Sequence, residues 1–282
     1  MDLENTKCTS KDKIFHNKCK FCGKDLKPIG LDYLYANMPL SSIEYERCDC
    51  KESKDYWNEI DLKEEKQKKR KQMEHMTRQF YIQNYTSKQI QDYKFDNFIT
   101  TETNKKEVEI AKDFTEKCIN KNQKNGLIIT GKSGVGKTHL ATAVLNQLTE
   151  KDMLVLMGRL ILLLDVIKDT FKDFSIKEKD IIELYSKVDM LIIDDLGTER
   201  ISSWALEKLY TIIENRNENK LPIIVTTRFN KESLLDRFYQ SEDEELSEAV
   251  IQKLYQFCYG IELKKYDQNE KEKVSISDQT KY

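Results

Sequence analysis

The 282-residue sequence has no apolar run that approaches the length needed to cross a bilayer. Its opening stretch, MDLENTKCTSKDK, lacks the apolar segment that directs secretion. A cytoplasmic protein with no membrane partner is therefore expected. Net charge is also scarce: 47 basic and 49 acidic side chains leave −2 at pH 7, although 34% of residues are charged. That balance excludes a global field that gathers nucleic acid, so any such contact must come from local patches. Proline is rare, and two of the three stand before residue 54, while the stretch from Tyr56 to Gln91 has neither proline nor glycine. Seven cysteines in a reducing compartment argue poorly for disulfides. Five of them precede Lys51, which points to a metal site and leaves Cys118 and Cys258 as ordinary buried thiols.

With 39% hydrophobic side chains, the chain can bury one full domain and has room for a smaller module. Composition divides it into a cysteine-bearing, loop-rich module (1–54), a charged helical linker (55–92), a main domain (93–265) and a tail (266–282) too poor in large apolar residues to fold. The linker, rich in Lys, Glu and Gln, reads as a solvent-exposed helix. In the main domain, short apolar runs bounded by turns alternate with amphipathic patterns, as in an α/β fold with a parallel sheet flanked by helices. Gly126 to Thr130, Met190 to Ile193 and Pro222 to Thr226 read as strands, and Thr138 to Leu148 as a helix. Ligands of such a sheet sit at the carboxyl ends of its strands.

Between the first strand and that helix, Gly131-Lys132-Ser133-Gly134-Val135-Gly136-Lys137-Thr138 matches G-x-x-x-x-G-K-[ST]. Glycines let such a loop curl so that successive N–H groups face phosphate oxygens, and the helix start adds its positive dipole end. The expected nucleotide contacts are Gly131, Ser133, Gly134, Val135, Gly136, Lys137, Thr138 and His139, with Lys137 reaching the β- and γ-phosphates of ATP and the Thr138 hydroxyl serving Mg²⁺. An acidic partner is needed on a neighbouring strand, and Asp194-Asp195 ends the run from Val188. Asp194 is expected to hold magnesium through water, and Asp195 to orient or deprotonate the attacking water.

Cys19-Lys20-Phe21-Cys22-Gly23 has the form of a zinc knuckle, and Cys48-Asp49-Cys50 adds two thiolates after residues 23–47. Four sulfurs close a tetrahedron around Zn²⁺, which would let a short segment fold where its core alone is marginal. Cys8 or His16 can replace a ligand, although each lacks a partner at knuckle spacing. In the linker, Lys66-Gln67-Lys68-Lys69-Arg70-Lys71 precedes Arg78, Phe80, Tyr81 and Tyr85, a combination that suits single-stranded DNA. Glu52, Glu59, Glu64, Glu65 and Glu74 nearly balance these charges, and a solvated helix face is the favoured reading.

The run from Leu191 to Glu199, followed by Trp204, Glu207-Lys208-Leu209-Tyr210 and Ile212-Ile213-Glu214-Asn215-Arg216, resembles DnaC/DnaI-type helicase loaders and their IstB-like relatives, which are AAA+ ATPases. GKSGVGKTHLA from Gly131 and the aromatic element Tyr93-Lys94-Phe95-Asp96-Asn97-Phe98 are similar to the same family, and the resemblance covers about two thirds of the chain. It implies ATP-controlled self-association and delivery of a replicative hexameric helicase onto single-stranded DNA, with the zinc module contacting the helicase. Two positions depart from the family. Arg228 stands where an Asn follows a Thr, so Thr227 or Arg228 would sense the γ-phosphate, and Lys253 replaces the expected arginine finger. Lysine lacks the two-pronged geometry of guanidinium, which implies slow or partner-dependent hydrolysis. Arg216 and Arg237 are the other trans-acting candidates. Two rival readings are an IstB-like transposition helper and a nucleotide-gated adaptor with little hydrolysis.

Overall fold

The computed structural model describes residues 18–27, 29, 45–84, 92–169 and 177–265, with the backbone alone over 79–84. The tail 266–282, Cys8, His16, Tyr85 and the side chains of Phe80 and Tyr81 lie outside these residues. The chain divides into two compact units, Met1–Gln72 and Met73–Tyr282.

In the first unit a tight turn carries the knuckle. The Gly23 amide donates to the Cys19 carbonyl at 2.8 Å, and the Cys19 amide to the Lys24 carbonyl at 2.7 Å. Helix α1 (Lys51–Asn84) begins directly after Cys50, four residues before the expected linker boundary. With no glycine or proline to interrupt it, the helix is reinforced by the i,i+4 pairs Glu59–Lys63 and Glu65–Lys69. Its middle turns are exposed, but in the second unit Met73 and Met76 pack on the core and Thr77 is buried, so the helix is not solvent-exposed throughout.

The second unit is an α/β fold. Its elements are α2 (Lys105–Ile119), β1 (Gly126–Thr130), α3 (Lys137–Thr149), β2 (Val155–Arg159), α4 (Leu160–Asp169), α5 (Glu178–Lys187), β3 (Met190–Leu196), α6 (Ser203–Asn219), β4 (Ile223–Thr227), α7 (Lys231–Phe238), α8 (Glu244–Phe257) and β5 (Cys258–Glu262). The sheet order is β2-β3-β4-β1-β5 and every pairing is parallel. Strands covered on both faces read as continuous apolar runs, which is why β1, β3 and β4 were legible. Helices expose one face only: α2 buries Val108, Ala111, Phe114 and Cys118 at helical spacing. α6 opens on Ser202, whose hydroxyl accepts from the Ala205 amide.

Two consequences of this order differ from the sequence reading. β4 lies between β1 and β3, so the aspartates stand not on the strand next to the loop-bearing strand but one further out. Arg216, a candidate trans-acting residue, is fully buried. Its guanidinium donates to the carbonyls of Tyr185 (2.7 Å), Val188 (3.0 Å) and Pro222 (2.5 Å), with Asp189 at 3.5 Å. Burial depresses its pKa to about 9. A side chain that ties α5 to the entries of β3 and β4 cannot reach another molecule.

Candidate functional site

Three strand ends build the site. After β1 the chain turns through Gly131, whose φ is +141° and where a Cβ would lie 2.3 Å from the Leu263 carbonyl oxygen. Gly136, at φ +99°, leaves space for Phe98, whose ring a Cβ would meet at 2.9 Å. Gly136 also caps α3, so the unpaired amides and positive dipole end of that helix face the loop. Ser133 and Gly134 lie on the exposed crest of the loop, and Val135 is buried beneath. Lys137 is buried and curls back over the loop, donating from Nζ to the carbonyls of Gly131 (2.8 Å) and Lys132 (2.9 Å). Burial lowers its pKa, with Asp195 acting in the opposite sense.

Facing the loop, the Thr138 hydroxyl lies 3.0 and 3.1 Å from the two oxygens of Asp194. A residue that sequence reading missed completes the contact. Thr226 of the intervening strand β4 donates its hydroxyl to Asp194 Oδ1 at 2.7 Å and accepts the Asp195 amide at 2.8 Å. The only available signal was a polar residue at the end of an apolar run. Asp195 has a left-handed backbone (φ +54°) where the β3/β4 register shifts between Ile193 and Leu196, a strained geometry of the kind that collects at functional sites. Its carboxylate receives Arg228 at 3.0 Å.

Three expected contacts are corrected by their surroundings. Thr227 is fully buried, and its hydroxyl donates to the Leu196 carbonyl (2.7 Å) and accepts the Phe229 amide (3.2 Å); Thr226 is the β4 threonine that reaches the aspartates. His139 stacks on Tyr93, with centroids 4.3 Å apart, and its Nε2 meets two acceptors, the Lys94 carbonyl (3.2 Å) and Asn97 Oδ1 (3.0 Å). Nε2 is therefore the protonated nitrogen, and it anchors the aromatic element instead of pointing to phosphate. Lys253 is held by Glu214 at 2.7 Å within its own protomer, and this contact raises its pKa. Arg237, the remaining candidate, donates to the carbonyls of Gly197 (3.0 Å) and Thr198 (3.4 Å).

In the first unit, Cys19, Cys22, Cys48 and Cys50 place their sulfurs within 4.8 Å of one another. Cys19 and Cys50 are 3.8 Å apart, and Cys22 and Cys48 3.5 Å. A tetrahedron with Zn–S bonds of about 2.3 Å has sulfur–sulfur edges of about 3.8 Å, so this donor set fits zinc. Hydrogen bonding from the Cys22 amide, against some desolvation, holds the Cys19 thiol down at about 6, whereas at Cys50 the Ser53 amide is outweighed by desolvation and the neighbouring thiols, which push it up to about 12.

The parallel sheet, the glycine loop between β1 and α3 and the acidic end of β3 define a P-loop nucleotide-binding protein of the AAA+ class. The chain belongs to the family of IstB-like ATP binding proteins, whose pattern matches residues 31–275. Among curated proteins it is 32% identical over 107 residues to the replicative helicase loader DnaC of Escherichia coli K12, covering 38% of this chain and 44% of that one. It is 27% identical over 143 residues to the replicative helicase loader DnaI of Bacillus subtilis, covering 50% of this chain and 45% of that one. Each match thus spans less than half of the relative's own length. A crystal structure of DnaI shares the fold at a TM-score of 0.54 and 23% identity, over 64% of this chain and 95% of that chain. No helix among the described residues is long and apolar enough to cross a membrane.

Proposed function

We propose that the protein is an ATP-dependent helicase loader, which binds a replicative hexameric helicase and places it on single-stranded DNA. The observation that carries this reading is a phosphate loop meeting paired aspartates in an ATP-binding family, in a chain whose matched curated relatives include proteins named replicative helicase loaders. Residues 93–265 form the ATPase domain and residues 55–92 its linker. Residues 1–54 form the partner-docking module, with Zn²⁺ on Cys19, Cys22, Cys48 and Cys50. The loop amides from Gly131 to Thr138 and the Lys137 ammonium bind the phosphates, Lys137 exchanging its two loop carbonyls for phosphate oxygens. Thr138 and Asp194 hold Mg²⁺, which draws charge from the phosphates when bound. Thr226 fixes Asp194 in the rotamer that faces Thr138, and Asp195 accepts the proton of the attacking water. Nucleotide state governs self-association and release of the partner. Hydrolysis is slow without a partner, because Lys253 is neither a guanidinium nor free.

The test is co-migration with the replicative helicase of the source organism, followed by size-exclusion chromatography with light scattering, with and without ATP and Mg²⁺. A complex that forms with the wild type and is lost in the Cys19→Ser, Cys22→Ser variant is expected. Absence of a complex under every nucleotide condition overturns the loader reading.

A further inference from the structure

We infer that Arg237 is a positioning residue for hydrolysis, which holds from within the same protomer the loop that aims Asp195. The inference rests on the nucleotide reading above, with Asp195 as the acceptor of the water proton. Arg237 stands in α7, and its guanidinium reaches two consecutive peptides of the loop after Asp195, donating from Nε to the Gly197 carbonyl (3.0 Å) and from Nη2 to the Thr198 carbonyl (3.4 Å). Its Cζ lies 5.8 Å from the ring centroid of Phe229, the residue that follows Arg228, the partner of Asp195. The loop is laid closely on the same helix. Gly197, at φ +88°, has no Cβ, and one would lie 2.5 Å from Leu234 Cδ1 and 3.1 Å from Phe229. The Asp195 carbonyl in turn accepts the Thr198 hydroxyl (2.9 Å) and the Thr198 amide (3.4 Å). A chain of contacts therefore runs from Arg237 through Thr198 to the backbone of Asp195.

Asp195 needs such support. Its φ of +54° lies in the left-handed region, which a residue with a Cβ occupies at a cost and keeps only where its surroundings impose it. On the amino side the Thr226 hydroxyl accepts the Asp195 amide (2.8 Å), and on the carboxyl side the turn closed by Thr198 is the counterpart. Removing Arg237 takes a charged donor from two adjacent carbonyls. The turn is then free to relax, Asp195 returns to the commoner backbone regions, and its carboxylate swings away from the attacking water. Binding of magnesium and nucleotide is separable from this, because Asp194 is held by Thr138 and Thr226 and the phosphate loop belongs to β1 and α3. A guanidinium suits the task, since Nε and Nη2 meet two peptides at once, whereas a lysine ammonium is a single point charge on a flexible stem. A cation bound to two backbone carbonyls of its own chain is turned toward its own Asp195 and not toward a neighbour's phosphate.

The test uses the full chain with Arg237→Ala, Arg237→Lys and Asp195→Asn, and with each Arg237 variant combined with Asp195→Asn. A fluorescent ATP analogue is titrated in Mg²⁺, and turnover is measured at saturating ATP. Arg237→Ala is expected to bind within about twofold of the wild type while its turnover falls by about a hundredfold, the scale for a misplaced catalytic group. In the Asp195→Asn background the same substitution should change turnover by less than about twofold, because the group it positions is already gone. Arg237→Lys keeps the charge and loses the fork, so its turnover falls nearly as far at an unchanged urea midpoint, and it carries the comparison if Arg237→Ala does not fold. A role in packing alone predicts a different pattern, equal fractional losses in both backgrounds that follow the urea midpoint. Equal losses in the two backgrounds, or ATP affinity that falls as far as turnover, overturn the inference. If the wild type binds no ATP, or Asp195→Asn keeps full turnover, the nucleotide reading itself has failed and the inference with it.

Discussion

In the first unit the buried residues among those described are Cys19, Cys48 and Ser53, whereas the second buries an apolar core that extends from Phe98 to Leu263. The core of the second unit is assembled from five parallel strands and the helices against them, and it removes enough apolar surface to offset the entropy of ordering the chain. Among the described residues the first unit buries no comparable apolar surface. What it has instead is four sulfurs at the edge lengths of a tetrahedron. With Zn²⁺ on the four cysteines as proposed, the two segments would be ordered by different agents, metal coordination in one and hydrophobic burial in the other, and so should respond to different insults.

Metal removal makes the largest break in this comparison. A chelator under reducing conditions, or the Cys19→Ser, Cys22→Ser variant, is expected to lower bound zinc from one ion per chain to none and to abolish ordered structure around the knuckle. Amide exchange should show protection lost up to the start of α1 and kept in β1, β3 and β4. Protection lost in both units alike would break the comparison. Arg216→Ala is the reciprocal test in the second unit. It leaves buried carbonyls without donors, at about 1–3 kcal/mol each before water or relaxation compensates, for a loss of roughly 3–5 kcal/mol in urea unfolding. Zinc content should stay unchanged. Arg216→Lys is expected to fall between, since an ammonium cannot span carbonyls of α5 and both strand entries at once.

These two cases also show what a sequence can and cannot display. The phosphate loop, the aspartates and the cysteine spacing are local, so they were legible as short strings. α3 matched its expected span to within one residue at each end. β2 was not recognised, because it passes into α4 without a break within one apolar stretch, where neither period prevails. β5 was missed because Cys258-Tyr259-Gly260-Ile261-Glu262 pairs, among the described residues, with β1 alone and exposes Tyr259, Gly260 and Glu262. Arg216 looked like any helix-surface arginine, because its partners Tyr185 and Val188, at the end of α5 and the entry of β3, lie 31 and 28 residues away in the sequence. The same holds for Thr226 and Thr227: adjacent and identical in type, they are told apart only by the pleat that aims one at the aspartates and the other at Leu196.

Thr226→Val sharpens the comparison at intermediate size. The substitution is close to isosteric but leaves Asp194 Oδ1 with the Thr138 hydroxyl alone and the Asp195 amide without its acceptor, at a cost of about 1–3 kcal/mol. Thr226→Ser should restore it, because serine keeps the hydroxyl. Affinity for Mg²⁺-nucleotide should weaken in the valine variant alone, separating a positioning hydroxyl from a simple packing residue.

Lys253→Ala is expected to do the least. Its partner Glu214 lies on α6 and the pair is reached by solvent, which screens its attraction. The urea midpoint should stay where it is. Basal turnover should also be unchanged, because Lys253 is paired with Glu214 of its own protomer. If instead Lys253→Ala loses turnover in proportion to protein concentration, then the cation crosses between protomers. The Glu214 contact would then be the resting position of a lysine that leaves it on assembly.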